Sequence, residues 1–188
     1  MNIEDMKEYL KSNLSKYRYE HSIRVAEEAR KLAKHYDCND ENAYIAGLLH
    51  DIAKEYNEEE NKEIVNKYNL DKSVLEDKRT CHAIIGSVIV KELYNVSDDI
   101  CQTIKYHTVG NRDMTLFDKI IFIADKIESG KNYPGIEEER DMAYIDLDRC
   151  LLLCLMNTKR KLEQDNKIFN KDSEKLLDYL YSKINTNK

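Results

Sequence analysis

Apolar residues return every three or four positions along almost the whole chain, and that spacing restricts it to packed amphipathic helices. Residues 3–14 place Ile3, Met6, Leu10 and Leu14 on one side. Residues 16–36 do the same with Tyr17, His21, Val25, Ala29, Leu32 and Tyr36. Residues 41–54 follow with Ile45, Leu48, Leu49 and Ile52, and Asp40 is the expected cap. A shorter amphipathic piece covers 58–69. Thr80 is the expected cap of a helix over 81–94, where His82, Ile85, Ile89 and Leu93 share a face. Helices over 98–108 and 115–128 come next, the second carrying Leu116, Ile120, Ile121, Ile123, Ala124 and Ile127. A Pro/Gly break at 132–135 precedes two or three further helices over 137–185. No segment sustains period-two alternation. Five Gly and one Pro in 188 residues are too few for the tight turns of a β-sandwich. The fold class is all-α.

Composition narrows the function. The formal net charge of −6 argues against a broad basic surface for duplex nucleic acid. Residues 157–188 carry +3, but Leu162, Ile168, Leu176, Leu177 and Leu180 are interleaved there, which predicts packed helices rather than a basic tail. The conspicuous apolar run 151–156 has six residues, far short of the ~20 needed to span a bilayer. That run is open to two readings, core or the interface of a homodimer. The N-terminal segment is acidic and amphipathic, with no basic stretch leading into an apolar one, so no secretory signal is expected. Five cysteines without a paired layout suggest reduced thiols and a cytoplasmic protein.

Chemistry concentrates in the histidines, of which there are five. His21 and His82 lie on apolar stripes of their helices. His107 ends a short helix. His50 precedes Asp51 at the end of the run AGLLHDIAK, and Asp125 interrupts KIIFIADKI. Taken singly, each is ordinary: a satisfied core histidine, or an aspartate in an ion pair. Together they are not, because a buried carboxylate costs several kcal/mol unless it is paired, hydrogen-bonded or metal-bound. Imidazoles and carboxylates contributed by separate helices are how a bundle builds a metal site in its core. That donor mixture suits Fe, Mn, Zn or Ni. Asp118 shares a face with Asp125 and is the rival carboxylate. Cys150 and Cys154 read as core, His35 as a surface or helix-end residue, and Cys81 as a weak nucleophile candidate.

The order His21, His50-Asp51, His82, His107, Asp125 resembles the HD-domain superfamily of metal-dependent phosphohydrolases. The flanks RYEHSIRVAEEA, AGLLHDIAK, CHAIIGSVI, IKYHTVG, LFDKIIFIADKIE and YPGIEE are similar to its YqeK-type branch. The likeness covers about 17–140, within a single domain of 1–188 whose C-terminal helices span about 141–185. It implies an HD-domain helical bundle with a dinuclear centre, iron in many members, with manganese or another transition metal as alternatives. The implied ligands are His21, His50, Asp51, His82, His107 and Asp125, with Asp51 bridging. The implied reaction is symmetrical hydrolysis of diadenosine tetraphosphate to two ADP by metal-activated water.

Asp51 and Lys54 are then the catalytic candidates. Arg18, Lys54, Thr108, Lys126, Lys131 and Tyr133 are the substrate-binding candidates. The family commonly has arginine near the place of Lys131, and lysine offers a point charge rather than a bidentate fork. Two alternatives stand beside this reading: an HD phosphohydrolase of another nucleotide, and a non-catalytic nucleotide-binding module.

Overall fold

Small polar residues mark where the helices begin. Asn2, Ser15, Asn39 and Asn57 each turn a side-chain oxygen onto a free N–H of the helix that follows. The computed structural model describes residues 2–186. Met1, Asn187 and Lys188, the ends of the 1–188 span, lie outside the described residues. Ten α-helices and no strand occur among the described residues: α1 (Ile3–Asn13), α2 (Lys16–His35), α3 (Asp40–Leu49), α4 (Glu58–Lys67), α5 (Cys81–Tyr94), α6 (Asp98–Tyr106), α7 (Leu116–Ile127), α8 (Ile136–Ala143), α9 (Leu147–Gln164) and α10 (Lys171–Thr186). A short 3₁₀ turn, Lys72–Leu75, follows α4. The all-α expectation holds.

The core lies where α2 packs on α3 and α7, and α5 packs on α6. Val25, Ala29 and Leu32 of α2 meet Leu48, Leu49, Ile120 and Ile123 in one apolar cluster. Each such aliphatic side chain contributes roughly 1.5–3 kcal/mol when fully buried. Helix α9 backs this layer against α7, α8 and α10. Leu151, Cys154 and Leu155 are buried within the chain, while Leu152, Leu153 and Met156 stay half-buried, so the 151–156 run is mainly core here.

Several local expectations are corrected. Asn39, not Asp40, caps α3, because its carbonyl oxygen accepts from the Asn42 N–H and Asp40 already stands in the first turn. Helix α3 stops at Leu49 rather than 54. The backbone tightens there into bonds from Ile52 N–H to Leu49 O and from Lys54 N–H to Asp51 O. Thr80 precedes α5 without a side-chain cap, since its hydroxyl donates to the Asp77 carbonyl. Tyr17, Leu93, Leu116 and Ile168 are exposed. The first three sit in terminal turns and Ile168 in the α9–α10 connection, where no neighbouring helix covers the stripe.

Gly47 sets the spacing of α2 and α3. A Cβ there would stand 2.8 Å from Ala26 Cα and 3.1 Å from the Val25 carbonyl carbon, both backbone atoms that cannot swing aside. Gly47→Ala is therefore expected to cost roughly 1–3 kcal/mol through overpacking, although alanine is the better helix former. Chemical denaturation checks this, and an unchanged or raised midpoint would refute it.

Candidate metal centre

The end of α3 delivers two ligand-type side chains to one place. His50 keeps a helical conformation as the C-cap, and its Nδ1–H donates to the Gly47 carbonyl at 2.7 Å. His107 does the same at the end of α6, donating to the Ile104 carbonyl at 2.6 Å. A carbonyl only accepts, so each ring has a proton on Nδ1, and in its neutral form Nε2 is the free ligand atom. His21, from the middle of α2, is held at Nδ1 by Glu128 Oε1 at 3.1 Å.

These nitrogens converge on Asp51, whose side chain is 3% exposed. Its Oδ2 lies 3.3 Å from His50 Nε2 and 3.8 Å from His21 Nε2. Its Oδ1 lies 3.2 Å from His82 Nε2 and 3.6 Å from His107 Nε2. One carboxylate thus faces two donor groups, His21–His50–Asp51 and Asp51–His82–His107, each with its ligand atoms close enough to hold one cation. Asp125, in the last turn of α7, joins the first group with Oδ1 at 3.1 Å from His21 Nε2 and 3.9 Å from His50 Nε2. His21 Nε2 and His50 Nε2 are buried without a hydrogen-bond partner. Buried, unpaired imidazole nitrogens beside carboxylate oxygens fit a divalent transition metal.

The protonation states agree with that use. Burial raises Asp51, but His50, His107 and His82 hold it well below the ordinary carboxylate range. Burial likewise raises Asp125, and Lys126, His21 and Lys131 reverse it. Burial drives His82 down to about 4 against the pull of Asp51, and lowers His107 as well. At neutral pH these four donors are already deprotonated, as metal binding requires. His21 differs: burial lowers it, yet Asp125 and Glu128 together leave it raised.

Basic side chains ring the carboxylates. Arg18 Nη1 donates to Asp51 Oδ2 at 2.8 Å. Lys54 Nζ lies 3.1 Å from His82 Nε2 and 4.0 Å from Asp51 Oδ1, and burial lowers its pKa. Lys126 Nζ is 2.8 Å from Asp125 Oδ2, and Lys131 Nζ is 4.0 Å from Asp125 Oδ1. Thr108 follows His107 with its hydroxyl oxygen buried and unpaired. The Tyr133 hydroxyl is not free for a ligand, because its proton goes to Glu139 and the Lys126 carbonyl stands 3.2 Å away. Asp118 is a cap and not a rival ligand: its Oδ2 accepts from the Thr115 N–H and hydroxyl, closing a capping box at the start of α7. Burial raises the Cys81 thiol, which makes it a poor nucleophile. Cys150 and Cys154 are buried core, and His35 is an exposed helix end against Tyr36 and Tyr144.

One important residue escaped the sequence reading. Glu128, 1% exposed, accepts from His21 with one oxygen and from Arg24 Nε with the other at 2.6 Å. Arg140 then donates to the carbonyls of Ile127, Glu128 and Lys131, fixing the loop that carries Lys131. The available signal was spacing: Glu128 follows Asp125 by three, and Arg24 follows His21 by three, so each shares a helix face with a ligand candidate.

An HD-domain family model matches residues 18–130. A Staphylococcus aureus protein named "Bis(5'-nucleosyl)-tetraphosphatase, symmetrical" is 38% identical over 97% of this chain and 96% of its own length. A Bacillus subtilis protein of the same name is 34% identical over 88% of this chain and 90% of its own. A crystal structure from Clostridium acetobutylicum, described as a predicted HD superfamily hydrolase involved in NAD metabolism, superposes with a TM-score of 0.90 at 32% identity, covering 97% of this chain and 98% of that one. The chain belongs to the HD-domain family.

Glu128→Gln removes the charge shared by His21 and Arg24, and metal affinity is expected to fall about 10–100-fold, the usual effect of losing a partner behind a ligand. Hydrogen bonds and Arg24 overcome burial and lower the Glu128 pKa from 4.5 to about 2. A depressed carboxylate stabilises above its unfolded pKa and loses that stability as pH falls through the folded one. The metal-free variant should therefore be less stable at pH 7 by on the order of 3 kcal/mol at most. Its deficit should shrink as pH falls from 4.5 towards 2. Equal urea midpoints at pH 7 would contradict this.

Proposed function

We propose that this protein is a metal-dependent hydrolase that splits diadenosine tetraphosphate between its two inner phosphates, giving two ADP. The observation that carries the reading is the shared Asp51 carboxylate, one oxygen toward His21 and His50 and the other toward His82 and His107. His21, His50, Asp51 and Asp125 would hold one divalent ion, and Asp51, His82 and His107 a second. We assign the pair as iron, with manganese or another transition metal able to replace it. When bound, such a pair lowers the pKa of water towards ~7 and offsets charge on phosphoryl oxygens. The names of the Staphylococcus aureus and Bacillus subtilis relatives support the substrate.

The chain's own groups bind and align the tetraphosphate. Arg18 and Lys54 stand beside Asp51, while Lys126 and Lys131 stand beside Asp125, so phosphate charge meets cations on both sides of the centre. The buried Thr108 hydroxyl is a further group for a phosphate oxygen, and the ring of Tyr133 lines the groove next to Lys126 and Lys131. The apolar helices beneath exclude bulk water from the carboxylates. In the reaction a water oxygen bonds to one inner phosphorus, and the central bridging oxygen leaves with the other half. No side chain becomes covalently linked to substrate. All five cysteines are free thiols, which suits a single-domain enzyme of the reducing cytoplasm.

Incubating metal-loaded protein with diadenosine tetraphosphate and resolving the products tests the reading. Two ADP are expected. AMP plus ATP, or tight binding without turnover, would refute it. Asp51→Ala should abolish turnover and metal uptake while far-UV helicity stays near wild type, and activity retained in metal-loaded Asp51→Ala would overturn the ligand assignment.

A further inference from the structure

Two grooves adjoin the candidate metal centre, one including its ligand candidate His82 and the other the two lysines that pair with Asp125. One, of about 470 Å³, starts at His82 and Lys54 on the Asp51 Oδ1 side and runs between α4 and the 3₁₀ turn, where Lys62 and Lys78 line it. The other, of about 510 Å³, starts at Lys126 and Lys131, which pair with Asp125, and runs along α9, where Arg160 and Lys161 line it. The two match in more than size. Each has one half-buried tyrosine in its wall, Tyr56 in the first and Tyr133 in the second. Each tyrosine hydroxyl is tied back into the protein, Tyr56 to Tyr9 and Tyr133 to Glu139.

Charge sets these grooves apart on an acidic chain. The first is lined by three lysines against the single acid Glu58, and the second by four cations against the single acid Asp165. Three other depressions of similar size balance their charges, with two basic and two acidic residues in each. Positive lining is thus confined, among these five, to the two that adjoin the centre. A nucleoside diphosphate suits such a groove, with a phosphate end for cations and a flat base for an aromatic wall.

We propose that the two grooves are the two arms of one substrate cleft, each seating one nucleoside diphosphate half of a substrate whose tetraphosphate crosses Asp51. This inference rests on the hydrolase reading above and deepens it. Two matched arms put the central bridge of a symmetrical substrate at the centre, so the position of cleavage follows from seating both ends rather than from reading one. Lys62 and Lys78 become specificity residues of one arm, and Arg160 and Lys161 of the other.

The test is a calorimetric titration of metal-loaded protein with ADP, the shared half of the substrate. Wild type should bind two ADP per chain. Lys62→Ala/Lys78→Ala and Arg160→Ala/Lys161→Ala should each bind one, and each should raise KM for diadenosine tetraphosphate about tenfold, the effect of about 1.4 kcal/mol. Thermal melts matching wild type confirm that these surface variants fold. One ADP per wild-type chain, or two retained in either double variant, overturns the proposal. Failure of the hydrolase reading would show separately, as wild type that yields no ADP from diadenosine tetraphosphate.

Discussion

A carboxylate buried among four imidazoles is the constraint on which the rest of the structure depends. Asp51 is 2% exposed, and an isolated charge at that depth would be expelled or neutralised. Arg18 donates to one of its oxygens at 2.8 Å, and four imidazole nitrogens from four separate elements reach it within 3.8 Å, a donor set that fits a cation. Those elements must therefore end, or pass, at one point. Helices α3 and α6 solve the problem identically, each terminating so that a histidine donates back to the carbonyl three residues earlier. Helix α2 passes by instead and α5 begins there, and they present His21 and His82 from their apolar stripes.

The shell behind these ligands is electrostatic. Glu128 links His21 to Arg24 and so ties the end of α7 to the face of α2. Arg140 on α8 takes three carbonyls of the segment 127–131 and thereby fixes where Lys131 stands. This arrangement reconciles a net charge of −6 with a polyanionic substrate. The acidic residues are spread over helix caps and solvated faces, while cations collect at Asp51, Asp125 and the two grooves beside them. A local field decides what binds a site, and the sum over the chain does not.

Much of this was legible beforehand because helix periodicity and ligand chemistry are local properties. The stripes containing His21 and His82, the His50-Asp51 pair and the break at 132–135 all follow from short-range spacing. Helix ends were less legible. Apolar spacing continues past Leu49 to Ile52, so nothing in the pattern announces that the backbone tightens there for His50. Asn39 and Asp40 are both good caps, and only the direction of entry chose between them. Asp118 and Asp125 look equivalent on one face of α7. One closes a capping box at the first turn and the other stands near the last, where His21 arrives.

The chain by itself determined an all-helical protein, its buried His/Asp set and the family chemistry that set implies, because each depends on residue type at fixed spacing. Tertiary structure alone decided which imidazoles face each Asp51 oxygen, that Glu128 supports His21, and that two basic grooves flank the centre. Those relations join residues as far apart as His21 and Glu128, and a one-dimensional pattern holds no distance between helices. Packing supplies it, through contacts as specific as Gly47 against the backbone of Ala26.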